Sequence, residues 1–162
     1  MADLKEIFQH HLVYEGGMLA ETHARLKART YDDPVVVNAL IESYCVHARG
    51  LIDFFNGRKG VKASSFTEPT YKPFPNGQIS SGLIQKLNAQ IVHLTLKRTT
   101  TDKIDDEDRD ELLVGITAEL NNFVKHLTKE YRDLSGTAST SVQPSATNMP
   151  SSARFTSPPK ED

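Results

Sequence analysis

The sequence predicts an all-α fold, an antiparallel four-helix bundle, from two observations about its pattern. Apolar residues recur at helical spacing in four separate segments. No segment alternates apolar and polar residues for long enough to predict a strand. A third observation limits the size of the fold: the chain has 162 residues, 38% of them apolar and 25% charged, which suits one domain with a tail.

The first two helices are predicted from their capping signals. Asp3 is a good N-cap with Glu6 as its capping-box partner, and this helix is expected to end near Arg29. Asp33 can cap the second helix, because Pro34 then occupies the first helical position, where a missing N–H costs nothing. The pair Asn56-Gly57 is expected to end it.

The remaining helices follow a long connection. Residues 58–79 contain three prolines and cannot form a continuous helix. The third helix is expected to start at Ser80 or Ser81. The fourth is expected to start at Asp105 or Asp106, and its apolar stripe extends to Leu134 as one helix.

The C-terminal segment has the composition of a disordered chain. Residues 135–162 contain 7 Ser, 4 Thr and 4 Pro, and their sizeable apolar side chains are Val142, Met149 and Phe155. Such a segment cannot bury enough surface to offset the entropy lost on ordering. The sequence therefore predicts a helical domain over residues 1–134 and a disordered tail over 135–162.

Charge and cysteine content exclude several classes of protein. The net charge of −2, from 19 basic and 21 acidic residues, argues against a general polyanion binder. Cys45 is the single cysteine, so an internal disulfide framework and cysteine-rich metal sites are excluded. No apolar run approaches the roughly 20 residues needed to span a bilayer, and the polar N-terminus lacks the apolar stretch of a secretory signal. A cytoplasmic protein without membrane contact is expected.

The first candidate site is a polar pair on the apolar face of the first helix. His11 and Glu15 are four residues apart, and burying them is costly unless they have partners. They are either an acid–base pair or a structural pair that contacts Arg49 across the bundle. Because no Glu-x-x-His sequence occurs, a di-iron site is not expected, and neither a metal nor a cofactor is predicted.

The second candidate lies on the second helix. His47 borders its apolar stripe, and Arg49 lies on the opposite face, where it can pair with Asp53 one turn later. A solvated or interhelical salt bridge is the simpler interpretation, and a catalytic role for Arg49 with His47 as a binding residue is the functional one. Arg49 could also reach an anion if this helix faces a second subunit.

The third candidate lies on the third predicted helix, whose sequence is similar to a motif of a known family. Asn88 and His93 lie on adjacent sectors of the third helix, where both could contact one phosphate or ribose, although an exposed histidine explains the pattern equally well. The segment 88–95 resembles the Arg-Asn-x-x-(Ile/Val)-(Ala/Val)-His motif of the HEPN superfamily, helical bundles of prokaryotic toxin–antitoxin and abortive-infection systems. Residues 38–44 with His47-Ala48-Arg49 are also similar to an early helix of HEPN-like proteins. The resemblance covers residues 5–130.

This resemblance implies a metal-independent endoribonuclease, usually dimeric, with an arginine and a histidine from each subunit in a shared cleft. The arginine would stabilise the phosphorane, and His93 would transfer a proton or bind substrate. The sequence departs from the motif because Leu87 occupies the arginine position before Asn88. Either Arg49 or Arg98 substitutes for it, or the bundle is kept without the activity.

The connection 58–79 is a further candidate for RNA binding. It carries four cations against the single acid Glu68, a net charge of +3, and three of the cations are the candidate ligands Lys59, Lys62 and Lys72. Interleaved aromatic residues could stack on single-stranded RNA. The favoured alternative is that they fasten the connection to the bundle while the lysines remain solvated.

Together these features predict a HEPN-like bundle of a defence or toxin–antitoxin system that acts on or binds RNA. The expected partners are a second copy, RNA or a cognate protein. The alternative is a catalytically silent helical domain that binds a partner protein.

Overall fold

The protein is all-α in a computed structural model that describes residues 3–92 and 103–138. Helix α1 is continuous through α-helical Leu4–Glu6, π-helical Ile7–His11 and α-helical Leu12–Ala28. The other helices are α2 (Pro34–Phe55), α3 (Ser81–Val92), α4 (Asp106–Lys125) and α5 (Lys129–Ala138). Within these two ranges the sole β-type pairing is an isolated bridge between Thr67 and Leu127.

The predicted helix starts at Asp33 and Asp105 are confirmed by their capping bonds. The carboxylate of Asp33 accepts a bond from the Val35 N–H at 2.8 Å, with Pro34 at the first position. Asp105 and Asp108 form a reciprocal capping box. Asp3 also caps its helix, but through the N–H of Lys5 rather than through a capping box with Glu6.

Helix α2 is at the centre of the core. It packs against α1, α3 and α4, and its buried apolar residues are Tyr44, Cys45, Ala48, Leu51, Ile52 and Phe55. By length and composition alone, α2 could also cross a membrane, contrary to the expectation that no segment could. A core helix passes the same test, because an apolar stripe that the other helices bury has the same composition.

The prediction of one long fourth helix is wrong. The helix ends at Lys125, and α5 begins at Lys129. The backbone of the connection 58–79 is hydrogen-bonded to the residues between these two helices. The Glu68 N–H donates to the His126 carbonyl at 2.8 Å, and the Thr128 N–H donates to the Phe66 carbonyl at 3.0 Å.

The expected domain boundary at residue 134 falls inside α5, which continues to Ala138. Lys129–Ala138 also packs against the π-helical turn of α1. The rest of the predicted tail, residues 139–162, lies outside the described residues.

The π-helical turn changes the register of the first helix. Its i→i+5 hydrogen bonds widen one turn, so a constant spacing of 100° no longer applies across residues 7–11. His11 is exposed rather than on the apolar face, whereas Glu15 is half-buried and Thr22 is buried. The buried Thr22 hydroxyl donates to the Met18 carbonyl at 2.6 Å, which satisfies it within its own helix.

A buried carboxylate fastens the connection 58–79 to the core. Glu119 on α4 is fully buried, and it accepts hydrogen bonds from the Tyr71 hydroxyl at 2.5 Å and from the Phe74 N–H at 2.7 Å. The amide of Asn122 donates to the same carboxylate at 3.2 Å. The end of the connection approaches α4 at Gly115, where an added Cβ would lie 2.5 Å from the Ile79 side chain.

Replacing Glu119 by alanine is expected to lower the free energy of unfolding by about 2–4 kcal/mol, because the Tyr71 hydroxyl and the Phe74 N–H lose a buried acceptor. Urea denaturation followed by circular dichroism measures the change. Glu42→Ala, at an exposed position of α2, is the matched control and should leave the midpoint unchanged. Equal midpoints for both variants would contradict the anchoring role.

Burial raises the pKa of the Cys45 thiol to about 11, so its thiolate is scarce at pH 8.5. Its labelling by a thiol reagent at that pH should be more than about a hundredfold slower in the folded protein than in the urea-unfolded chain. Labelling at equal rates in both states would place Cys45 outside the core.

Candidate functional site

Two of the predicted site residues, Arg49 on α2 and Asn88 on α3, are in contact with each other. Together with Asp53, the salt-bridge partner of Arg49, they form a hydrogen-bonded group that we call the Arg49 cluster. The Nε of Arg49 donates to Asp53 Oδ2 at 2.9 Å, as the spacing of one turn predicted. Its Nη1 donates to Asn88 Oδ1 on the neighbouring helix. The Arg49 side chain is 22% exposed, so two contacts hold its guanidinium while solvent still reaches it.

The residue before Asn88 belongs to the core. Leu87 is fully buried in the core. A charged side chain at that position would lose its hydration without gaining a partner. The guanidinium that contacts Asn88 comes from Arg49 on α2.

The Arg49 cluster has donors that are not used within the described part of the chain. Arg49 Nη2 and the Asn88 amide nitrogen have no hydrogen-bond partner among the described residues. Both can donate to phosphate or carbonyl oxygens. In the same region, Asp53 Oδ1 is buried without a hydrogen-bond partner. Chemically, the cluster can therefore bind an anionic or hydrogen-bond-accepting group, although Asp53 offsets part of the arginine charge.

A groove between α3 and α4 borders the cluster. Asn88 lines it together with Lys86, Asp108 and Glu111, and its volume is about 680 Å³. Lys86 pairs with Asp108 and reaches Asp105 at 4.0 Å. The Asp108 N–H, followed by the nearby Lys86 charge, holds the pKa of Asp105 below its usual range. These paired groups fix the groove wall, whereas Asn88 keeps an unused donor.

Two predicted catalytic residues cannot be placed relative to the Arg49 cluster. His93 and Arg98 lie in the segment 93–102, outside the described residues. They directly follow α3, which ends at Val92 four residues after Asn88.

The predicted partner of Glu15 is wrong. Glu15 Oε2 lies 2.7 Å from His47 Nδ1, whereas Arg49 points to Asp53 and Asn88 on the other side of α2. The ring of Tyr14 meets the His47 imidazole edge-on, with centroids 5.7 Å apart. His11 is exposed and takes no part in this pair. Glu15 and His47 therefore form a polar contact between α1 and α2, in which the carboxylate fixes the orientation of the imidazole.

The connection 58–79 follows the packing alternative. Phe66 is fully buried, and its ring centroid lies 4.9 Å from that of Tyr131. Tyr71 and Phe74 are half-buried against the core and donate to Glu119. Phe66 is therefore not available to stack on RNA, and Tyr71 and Phe74 are fastened to the bundle as the favoured alternative expects. The lysines of this candidate are all exposed: Lys59, Lys62 and Lys72.

Sequence reasoning missed the buried polar groups of α4. Glu119 follows Ile116 by three residues and precedes Phe123 by four, a spacing that places it on the apolar face and could have identified it. Arg109 likewise precedes Leu112 by three residues. It is 7% exposed, and it donates to Asp106 and to the Ile104 carbonyl.

The chain was also compared with known proteins. No family model, curated protein or solved structure matches it.

Proposed function

We propose that this protein is a HEPN-like helical domain of a prokaryotic defence or toxin–antitoxin system and that it binds RNA at the Arg49 cluster. The observation that carries the proposal is the contact of the Arg49 guanidinium with the Asn88 side chain. The family motif places an arginine directly before this asparagine, where the chain has the buried Leu87. Arg49, on the neighbouring helix α2, supplies the guanidinium that the motif would place at position 87.

The contacts between helices support a four-helix arrangement for this domain. Helices α1 and α4 run in opposite directions, because Gly16 lies near Leu120 while Arg29 pairs with Asp106. Helices α3 and α4 are also antiparallel, since Ser80 bonds to Glu111 while Gln90 bonds to Ile104. We therefore propose that α1–α4 form the bundle and that α5 closes one end.

The Arg49 cluster has the chemistry to hold one phosphate group of RNA. Asp53 and Asn88 fix the guanidinium from two sides, so little further ordering is needed when an anion binds. Arg49 Nη2 and the Asn88 amide would donate to the phosphate oxygens. In an active nuclease, this arginine would stabilise the phosphorane charge, and His93 would supply proton transfer without a metal ion.

Attraction of RNA over longer distances requires cations other than Arg49. Asp53 cancels one charge at the Arg49 cluster, and the whole chain has a net charge of −2. The exposed Lys59, Lys62 and Lys72 are the cations that we propose for this role. Arg98 is a further one by its sequence position. Salt should therefore weaken RNA binding, since each phosphate contact releases counterions.

A silent interaction domain is the second candidate, and one surface favours it. Val13 and Tyr14 on α1 and Val46 on α2 are exposed, with exposed fractions of 66%, 56% and 51%. The Tyr14 ring contacts His47, the residue after Val46. An apolar surface of this kind would suit a second copy of the chain or a cognate protein.

Incubation of the protein with labelled total RNA and transfer RNA in EDTA tests the proposed function. We expect retention of RNA on the protein that decreases with salt, and cleavage if the His93 chemistry is complete. Asn88→Ala and Arg49→Lys should each weaken RNA binding at least about tenfold, because one removes an amide donor and the other removes the planar donor fork. Lys129→Ala, at an exposed lysine of α5 outside the Arg49 cluster and the connection 58–79, is the control for loss of charge.

The outcomes separate the candidates. Cleavage that is lost in His93→Ala would establish a nuclease. Binding without cleavage would indicate a silent RNA-binding domain. If folded protein neither binds nor cleaves RNA, the proposal is wrong, and a Val46→Glu variant that changes the oligomeric state in light scattering would then favour the interaction domain.

A further inference from the structure

A second cavity lies at the opposite end of α2, where the turn from α1 to α2 meets the start of α4. Its volume is about 340 Å³, within the range of small-molecule sites. Its apolar floor comprises one residue of α1 and three of α2, all half-buried: Leu26, Val37, Leu40 and Ile41. None of these residues belongs to the Arg49 cluster. The shape and the floor suit a compact apolar group.

The rim of this cavity carries several guanidinium groups. Three arginines line it together with two acids, Asp32 and Asp106, and Glu21, outside the lining, pairs with Arg25. The charge of one arginine, Arg109, is already used, because this buried residue donates to Asp106 and to the Ile104 carbonyl. The two arginines that face solvent are Arg25 and Arg29. Their side chains are 51% and 79% exposed.

Both exposed arginines keep free donors. Arg29 uses Nη2 to contact Asp106 at 2.9 Å, and its Nε and Nη1 have no partner among the described residues. Arg25 uses Nε for Glu21 and Nη1 for the Tyr31 hydroxyl, and its Nη2 has no partner in the part of the chain that the structure describes. A carboxylate can accept hydrogen bonds from two guanidinium groups at once, because its two oxygens offer about four lone-pair sites.

The backbone of Arg29 provides an independent observation. This residue ends α1 in the left-handed conformation, with a φ of 50°, at a position where glycine is usual. Residues other than glycine adopt this conformation uncommonly. The bond to Asp106 keeps the Arg29 guanidinium at the rim of the cavity.

We propose that this cavity binds a small organic carboxylate with an apolar body. The carboxylate would lie between Arg25 and Arg29, and the body would cover the floor formed by Leu26, Leu40 and Ile41. The unused guanidinium donors of Arg25 and Arg29 match the acceptors of one carboxylate, and the apolar floor favours a ligand with an apolar body over an inorganic anion. This site does not depend on RNA binding, since it shares no residue with the Arg49 cluster.

Isothermal titration with 2-naphthoate tests the site. We expect one saturable site with a dissociation constant on the order of 1 mM, as is usual for a ligand of this size. Acetate lacks the apolar body, and 2-naphthylmethanol lacks the charge, so each should bind at least about tenfold more weakly. Equal binding of the neutral alcohol would overturn the proposal.

Two variants locate the ligand. Arg29→Gly removes the guanidinium and suits the positive φ, so it should weaken 2-naphthoate binding at least about tenfold without loss of the fold. Arg58→Ala removes a distant exposed arginine and should leave binding unchanged. Leu40→Gln should also weaken 2-naphthoate binding, because it places a polar amide in the apolar floor of the cavity. Absence of saturable binding to folded protein, or equal binding by Arg29→Gly, would exclude this site.

Discussion

The need to bury the apolar stripe of α2 determines the arrangement of the other helices. This helix is covered by α1, α3 and α4, and its residues from Tyr44 to Phe55 supply much of the core. The polar contacts lie where its stripe ends. His47 meets Glu15 on the side of α1, and Arg49 meets Asn88 on the side of α3. Each pair satisfies groups that a one-residue change in helix register would separate, so these contacts contribute specificity to an otherwise apolar packing.

A second constraint, the need of backbone groups for hydrogen-bond partners, explains the buried carboxylate of α4. The connection 58–79 has few internal hydrogen bonds of its own, so it must find partners on the helices. Glu119 accepts from a side chain and from the backbone of this segment, and the break after Lys125 offers the His126 carbonyl to Glu68. A continuous fourth helix would have used that carbonyl internally. The interrupted helix and the ordered connection are therefore two consequences of one set of backbone bonds.

The helix starts were predictable from the sequence because capping is local. Asp33 and Asp105 bond to N–H groups two or three residues away, so neither depends on the rest of the fold. The π-helical turn was not predictable, since no residue type specifies it, and it displaced His11 from the apolar face. The Arg49–Asp53 pair was predictable as a one-turn spacing. The partners Asn88 and His47 were not, because contacts between helices depend on how the helices pack.

The electrostatics of the chain favour local rather than general recognition of anions. With a net charge of −2 and a screening length of about 8 Å at physiological salt, distant cations contribute little to the binding of a small anion at one site, whereas a long polyanion can also contact the exposed lysines of the connection 58–79. Val37, on the floor of the cavity, and Arg49 are twelve residues apart on α2, or about 18 Å along its axis. At that separation, substitutions at the two sites should have additive effects. A phosphate at the Arg49 cluster and a carboxylate at the cavity would therefore bind independently, each through the one or two guanidinium groups beside it.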